Sequence, residues 1–243
     1  GKGVDVLDNL EKVQFNGNYL PINYYDKYGM SIERPQKLAV ADGVTAESVL
    51  KSFIENTGVN KMSDLKTIKL VYKGTFMQMA IEVKETYSTT SQEQVISVGG
   101  NPMMTSVVSA EGAFMKQGPN QMDLPKVIYD DLKKSLGVIS EIGLLASGEA
   151  VLEGIETVND TKAYVIKVPG VGVSYTNYYS IETGMKIKES NLVNFNGQMQ
   201  TNNTNYANYK ELSSLMMPGE KSFDLGGQEI SLTLEEVIVS PDK

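Results

Sequence analysis

From Lys66 to Val239 the chain repeats one short unit, a run of alternating apolar and polar residues closed by a turn, and this pattern limits the fold more than any other feature. In residues 66–73, Ile68, Leu70 and Tyr72 share one face, with Thr67, Lys69 and Lys73 on the other. In residues 76–84, Met77, Met79, Ile81 and Val83 oppose Gln78, Glu82 and Lys84. A period of two with one polar face is the signature of half-buried antiparallel strands. Turn signals fall at Gly74, Gly99-Gly100-Asn101-Pro102, Asn159-Asp160, Glu182-Thr183-Gly184 and Asn196-Gly197, the last being the strongest hairpin signal in the chain. Near the end Ile230, Leu232 and Leu234 share a face, and Glu235-Glu236 shifts the phase to Val237 and Val239, as a bulge does. The spacing predicts about ten or eleven strands in a meander.

A helix precedes them. In Thr45–Gly58, Thr45 is a good N-cap, Glu47 stands near the positive end of the dipole, and Gly58 is free to take the left-handed stop. Ala46, Val49, Leu50, Phe53 and Ile54 form a continuous apolar stripe, which needs a sheet to cover it. Pro125–Leu136 reads as a second helix, and Val138–Ala146 as a helical or irregular piece. The fold class is therefore α+β and mostly β. Residues 1–30, with a short helix expected around Val4, Leu7 and Leu10, are too few to make a core and read as the tail of a preceding domain or an appendage. Residues 31–44, with Pro35, read as a linker, and 45–243 as the main domain. The start GKGVDVLD lacks an initiator Met, so the chain is expected to be a processed or excised piece.

Composition narrows function mainly by what it removes. There is no His and no Cys, so His-based nucleophile triads, His-containing zinc motifs and thiolate metal sites are excluded. A net charge of −8, with Arg34 the single arginine, argues against nucleic acid. No apolar run approaches the ~20 residues a membrane-spanning helix needs. No catalytic residue, metal ligand or cofactor-binding residue is assigned.

The methionines Met77, Met79, Met103, Met104, Met115, Met122, Met216 and Met217 suit a cavity for varied apolar ligands, although filling ordinary core is the commoner use. The 13 tyrosines suit binding surfaces, and equally suit strands. The acid pairs Asp130-Asp131 and Glu235-Glu236 diverge in direction on a helix or strand, so neither reads as a paired-carboxylate site. Gly170-Val171-Gly172 lacks the third glycine and following helix of a nucleotide loop. Asn159-Asp160-Thr161 and Asn202-Asn203-Thr204 match glycosylation sequons, which carry meaning only in a eukaryotic secretory setting.

Two stretches carry a resemblance. GKGVDVLDNLEKVQFNGNYLPINYYDKYG, with the Pro35 linker and the Gly43-to-Glu47 helix start, resembles the end of pitrilysin/insulinase-type zinc peptidases of Bacteroidetes. From the helix onward the chain resembles the LolA/LolB-like outer-membrane lipoprotein-sorting group. The features that carry this are the helix ending in Gly58, Gly148-Glu149-Ala150-Val151 before the strand 163–168, Tyr178-Tyr179 through Thr183-Gly184, and Tyr206 to Tyr209 with Pro218 after them. The resemblance implies a curved antiparallel half-barrel with helices on its concave side, binding an apolar ligand, a lipid or an acylated protein inside. It also implies a periplasmic or outer-membrane-associated location. The expected function is a non-catalytic C-terminal domain of a secreted zinc peptidase, partnered by the upstream peptidase domain, and the alternative is a stand-alone lipid or lipoprotein carrier. Met77, Met79, Ile81, Val49 and Phe53 are the expected lining of an apolar ligand cavity.

Overall fold

The computed structural model describes residues 12–15, 18–21, 24–25, 31–32, 38–195, 197–225 and 227–241, and divides the chain into two compact units, Gly1–Lys37 and Leu38–Lys243. In the first, β1 (Lys12–Phe15) pairs with β2 (Asn18–Pro21), and β3 (Tyr24–Tyr25) with β4 (Ser31–Ile32), both antiparallel. The helix expected around Val4, Leu7 and Leu10 lies outside the described residues.

The second unit begins with α1 (Ala46–Thr57), capped as its sequence requires. Thr45 and Ser48 exchange side-chain-to-backbone hydrogen bonds in a capping box, and Gly58 takes φ +79° at the other end. Two meanders follow. One comprises β5 (Leu65–Phe76), β6 (Met79–Ser88), β7 (Ser91–Val98), β8 (Asn101–Ser109), β9 (Ala113–Gln117) and β10 (Asn120–Asp123). The other comprises β11 (Val151–Val158), β12 (Thr161–Val168), β13 (Val173–Ser180), β14 (Lys186–Phe195) and β15 (Gln198–Ala207). A small hairpin, β16 (Lys210–Leu212) with β17 (Leu215–Met217), leads to β18 (Glu220–Leu225) and β19 (Gln228–Pro241). β19 then pairs with β5, so the two meanders become one antiparallel sheet in the order β10-β9-β8-β7-β6-β5-β19-β18-β15-β14-β13-β12-β11. The sheet is open, with β10 and β11 at its ends.

Thirteen strands stand where ten or eleven were expected. The two extra are β10, exposed throughout and so without alternation to read, and β18, whose inward residues begin with a lysine. The phase shift at Glu235-Glu236 is a bulge opposite Tyr72 and Val71. Gly74 is not a turn residue. It lies within β5, where an added Cβ would meet the Ser231 carbonyl oxygen at 2.4 Å, and the turn falls instead at Met77-Gln78 with φ of 48° and 64°. Glycine is needed there for close approach of β19.

The sheet curves. Strands lie about 4.8 Å apart, so β6 and β18, three steps apart in the order, would stand roughly 14 Å apart if flat. Yet Lys221 on β18 donates to Glu85 on β6 at 2.5 Å on the inner face. One hydrophobic core occupies that face, from Ile96 on β7 to Ile166 and Val168 on β12.

The chain between the end strands β10 and β11 forms a strap carrying α2 (Lys126–Leu132), a 3₁₀ turn over Lys133–Ser135 and α3 (Ser140–Ser147). α1 packs against α3 and β17. The strap is latched to the β12–β13 loop by Asp131, whose carboxylate accepts from the N–H groups of Gly172 (2.7 Å) and Val173 (3.1 Å) and pairs with Lys134. Partial burial pushes the Asp131 carboxyl up, but those N–H donors and Lys134 outweigh it and hold the group below the ordinary carboxylate value. The Gly170-Val171-Gly172 run has its reason here, because a Cβ on Gly172 would meet the Ile128 nitrogen and the Val127 oxygen at 2.6 Å.

Two outcomes follow for the latch. Gly172→Ala should cost about 1–3 kcal/mol, since backbone must move to make room, and Asp131→Ala about 1–3 kcal/mol by leaving two buried N–H groups unpaired. A carboxyl held low in the folded state contributes stability that is complete above its unfolded value and lost as pH falls through the folded one. Urea denaturation from pH 7 to pH 3 should therefore show a smaller acid-side loss in Asp131→Ala than in the parent. Equal slopes would show that the latch carries no titrating contribution.

Candidate functional site

Between the inner face of the sheet and the helices lies a cavity of about 140 Å³. Its apolar wall is drawn from every layer: Phe53 from α1, Ile68 and Leu70 from β5, Val138 and Ile139 from the strap, and Met216 and Met217 at β17. α1 contributes Phe53 and Thr57 to this wall while leaving the space open, so it covers the cavity without filling it.

The remaining lining, with Tyr87, Glu141, Lys186, Glu189, Tyr206 and Lys221, is charged and aromatic, Glu85 stands behind it as the partner of Lys221, and alternation explains why the strand side chains face inward. Glu85 and Tyr87 are in phase with the buried Ile81 and Val83 on β6. Lys221 is in phase with Phe223 and Leu225 on β18, and Glu141 stands three residues before the buried Leu144 on α3. Two buried ion-pair groups result. Lys186 lies 2.8 Å from Glu141 and 3.0 Å from Glu189, and Tyr179 donates to Glu141 at 3.0 Å. Lys221 pairs with Glu85, which also accepts from Tyr87 and from the Gln94 amide, both at 3.1 Å. Both ammonium groups lie over aromatic rings, Lys221 at 4.5 Å from the centre of Tyr72 and Lys186 at 5.0 Å from that of Tyr206.

Burial opposes the charged form of Lys186, but Glu141 and Glu189 outweigh it and hold its pKa well above the ordinary amine value. Burial likewise opposes Glu189, and Lys186 brings its pKa below the ordinary carboxylate value. Desolvation pushes the phenols of Tyr72, Tyr87, Tyr206 and Tyr209 far up, so they remain neutral donors. Tyr209 donates to the Lys186 carbonyl at 2.7 Å and Tyr72 to that of Pro218 at 3.1 Å. The site is thus an apolar chamber with an ion-paired polar floor of three carboxylates and two ammonium groups. Among the described residues no group of three or more acids could hold a metal ion.

Of the five residues expected to line a ligand cavity, Phe53 lines this one and Val49 lines a groove of about 420 Å³ between α1 and the β13–β14 hairpin. Ile81 is buried in the core outside the cavity wall. Met77 and Met79 stand 64% and 47% exposed at the β5–β6 turn, where Met77 takes the left-handed conformation of the turn itself and leaves the strand alternation. Met216 and Met217, grouped with other methionines by composition, do reach the cavity. The buried charges Glu85, Glu141, Lys186, Glu189 and Lys221 were not singled out, although the phase of Glu85 with Ile81 and Val83 is readable in the sequence.

No family model matches the chain, and neither does any curated protein sequence. Among solved structures the chain is similar to a LolA superfamily protein from Nitrosomonas europaea, with a TM-score of 0.53 and 12% identity, over 83% of this chain and 96% of that one. It is also similar to a DUF1329 family protein from Desulfovibrio piger, with a TM-score of 0.47 and 6% identity, over 80% and 92% of the two chains. The first likeness shows the fold, an open antiparallel sheet of the LolA type with helices across one face.

Removing one member of a buried ion pair leaves the other uncompensated. Lys221→Met should cost about 3–5 kcal/mol, and Lys221→Met with Glu85→Gln should recover much of that. Urea unfolding midpoints of the three proteins check this. A single variant as stable as the parent would show that the pair contributes nothing.

Proposed function

We propose that Leu38–Lys243 is a non-catalytic binding domain that takes the acyl chain of a lipid or lipidated protein into the chamber between sheet and helices. The chamber itself carries the reading: Phe53, Ile68, Leu70, Val138, Ile139, Met216 and Met217 leave an apolar space in a core that normally closes to native density. The LolA-type fold and the outer-membrane lipoprotein-sorting resemblance support the same ligand class. Ligand pockets commonly enclose about 300–1,000 Å³, so a chamber of about 140 Å³ takes the end of one chain as it stands, and the helices must part to admit more. Opening must break the polar contacts of the strap, which are Glu141 to Lys186 and Tyr179, Asp131 to the β12–β13 loop, Tyr129 to the Ala110 carbonyl and Gln92 to the Ser135 carbonyl, whereas α1 is tied to the sheet by the Asn56 amide donating to the Thr183 carbonyl. Both lysines of the polar floor are already engaged by its three carboxylates, which leaves no free cation for an anionic head, so affinity comes from the chain.

The setting is part of the proposal. The resemblance of residues 1–29 supports a place behind the catalytic domain of a periplasmic zinc peptidase. A stand-alone carrier is the second reading, favoured by the main domain holding a core of its own.

Delipidated protein titrated with a fluorescent long-chain fatty acid, without vesicles, should show saturable one-to-one binding. Leu70→Trp, which fills the chamber, should weaken it about tenfold or more, corresponding to about 1.4 kcal/mol. No binding by the folded parent overturns the ligand assignment. Coding sequence upstream of Gly1 separates the two settings: an H-x-x-E-H motif supports the peptidase, and a start codon with a signal peptide next to Gly1 overturns it.

A further inference from the structure

Methionine exposure follows the sheet and not the cavity. Among the described residues the exposed methionines are Met77, Met79, Met103, Met122 and Met199. Because neighbouring strands alternate direction, the turns of the β9–β10, β7–β8, β5–β6, β18–β19 and β14–β15 hairpins all stand at one end of the sheet. Every one of these methionines lies in such a turn or within three residues of one: Met122 after Gly118, Met103 after Gly100, Met77 and Met79 at the β5–β6 turn, and Met199 after Gly197. A further turn at this end, residues 169–172, belongs to the latch on α2.

The same end is nearly free of charge. In a chain with 21% charged residues, residues 74–81, 94–110, 117–122 and 190–209 contain no Asp, Glu, Lys or Arg. These four runs hold the four methionine-bearing turns, while the β18–β19 turn keeps Asp224 and Glu229 beside it. The turns at the opposite end carry the exposed Glu111, Asp160 and Glu182. Gln78, Asn101, Gln121, Gln198 and Gln200 accompany the methionines, giving amide donors and acceptors with no charge to strip of water.

We propose that this rim of hairpin turns docks on the surface of a lipid bilayer, each of the four methionine-bearing turns placing its methionine at the boundary between headgroups and acyl chains. Adjacent hairpins are about 10 Å apart, so the methionines stand as separate projections and do not merge into a groove shaped for one rigid partner. A fluid apolar layer receives separate projections equally well, and an unbranched thioether adapts to it. Charges within the four methionine-bearing turns would resist insertion, and none is present there, Asp224 and Glu229 flanking only the β18–β19 turn. The net charge of −8 opposes anionic surfaces, so the surface that fits is zwitterionic. The inference stands on the rim alone and does not require the chamber to hold a ligand.

The chain has no tryptophan, so a single introduced indole reports only its own position. Met103→Trp and Met199→Trp in the full chain should each shift their emission to the blue on phosphatidylcholine vesicles, while Glu182→Trp at the opposite end should not. Met79→Glu with Met199→Glu should lower the vesicle-bound fraction in co-sedimentation about tenfold, with the melting temperature kept. Rim indoles that ignore vesicles in folded protein would overturn the proposal. So would blue shifts that appear without vesicles and grow with protein concentration, which would mark the rim as a contact between copies of this chain. Fatty-acid binding that succeeds while vesicle docking fails leaves the carrier reading intact, and the converse leaves the rim.

Discussion

The pairing of β19 with β5 is the interaction on which the rest of the second unit depends. It joins residues at opposite ends of this unit, with Leu232 beside Gly74 and Pro241 beside Leu65. Without it the chain holds two separate meanders, each with a bare edge and half of an apolar face. With it the inner faces become one curved surface, and the strap from β10 to β11 has two sides to span. Gly74 permits the approach, and the bulge at Leu234–Glu236 keeps Leu234 and Val237 both turned to the core across the change of phase. Such long-range pairing carries a loop-closure cost in folding rate, which local helix contacts avoid.

Curvature then explains the interior. A sheet bent far enough to bring Lys221 to Glu85 converges its inward side chains on one space, and α3 closes that space by setting Glu141 against Lys186. The charges there lie against Tyr72, Tyr87, Tyr179, Tyr206 and Phe53. Low dielectric strengthens each pair and makes any unpaired member costly, so the polar floor holds its geometry while the apolar wall is free to adapt. The chamber and the methionine rim use the same residue type for different ends: Met216 and Met217 soften a wall, whereas Met103 and Met199 meet the surroundings of the protein.

Much of the architecture was legible from local pattern. The cap at Thr45, the stop at Gly58, the hairpin at Asn159-Asp160, the hairpin that joins β14 to β15 and the bulge at Glu235-Glu236 all follow from side-chain chemistry within a few residues. β10 and β18 were not legible, because an edge strand needs no alternation and an inward lysine disguises it. Met77-Gln78 was missed as a turn because neither residue is a usual left-handed former, and the nearby glycine served β19 instead. Alternation also put Met79 in phase with Ile81, correctly as a face and without any indication of where along it burial begins.

The sequence by itself determined which residues share a face, where the chain turns, and which chemistries lie beyond it for want of histidine and cysteine, because these depend on neighbours close along the chain. Only the tertiary structure decided which of two meanders meets which, that Glu85, Glu141, Lys186, Glu189 and Lys221 pair with one another, and that Phe53 borders an open space. Those outcomes depend on how far a sheet curves before its helices close on it, and curvature sums small twists over thirteen strands. No single stretch of sequence holds that sum.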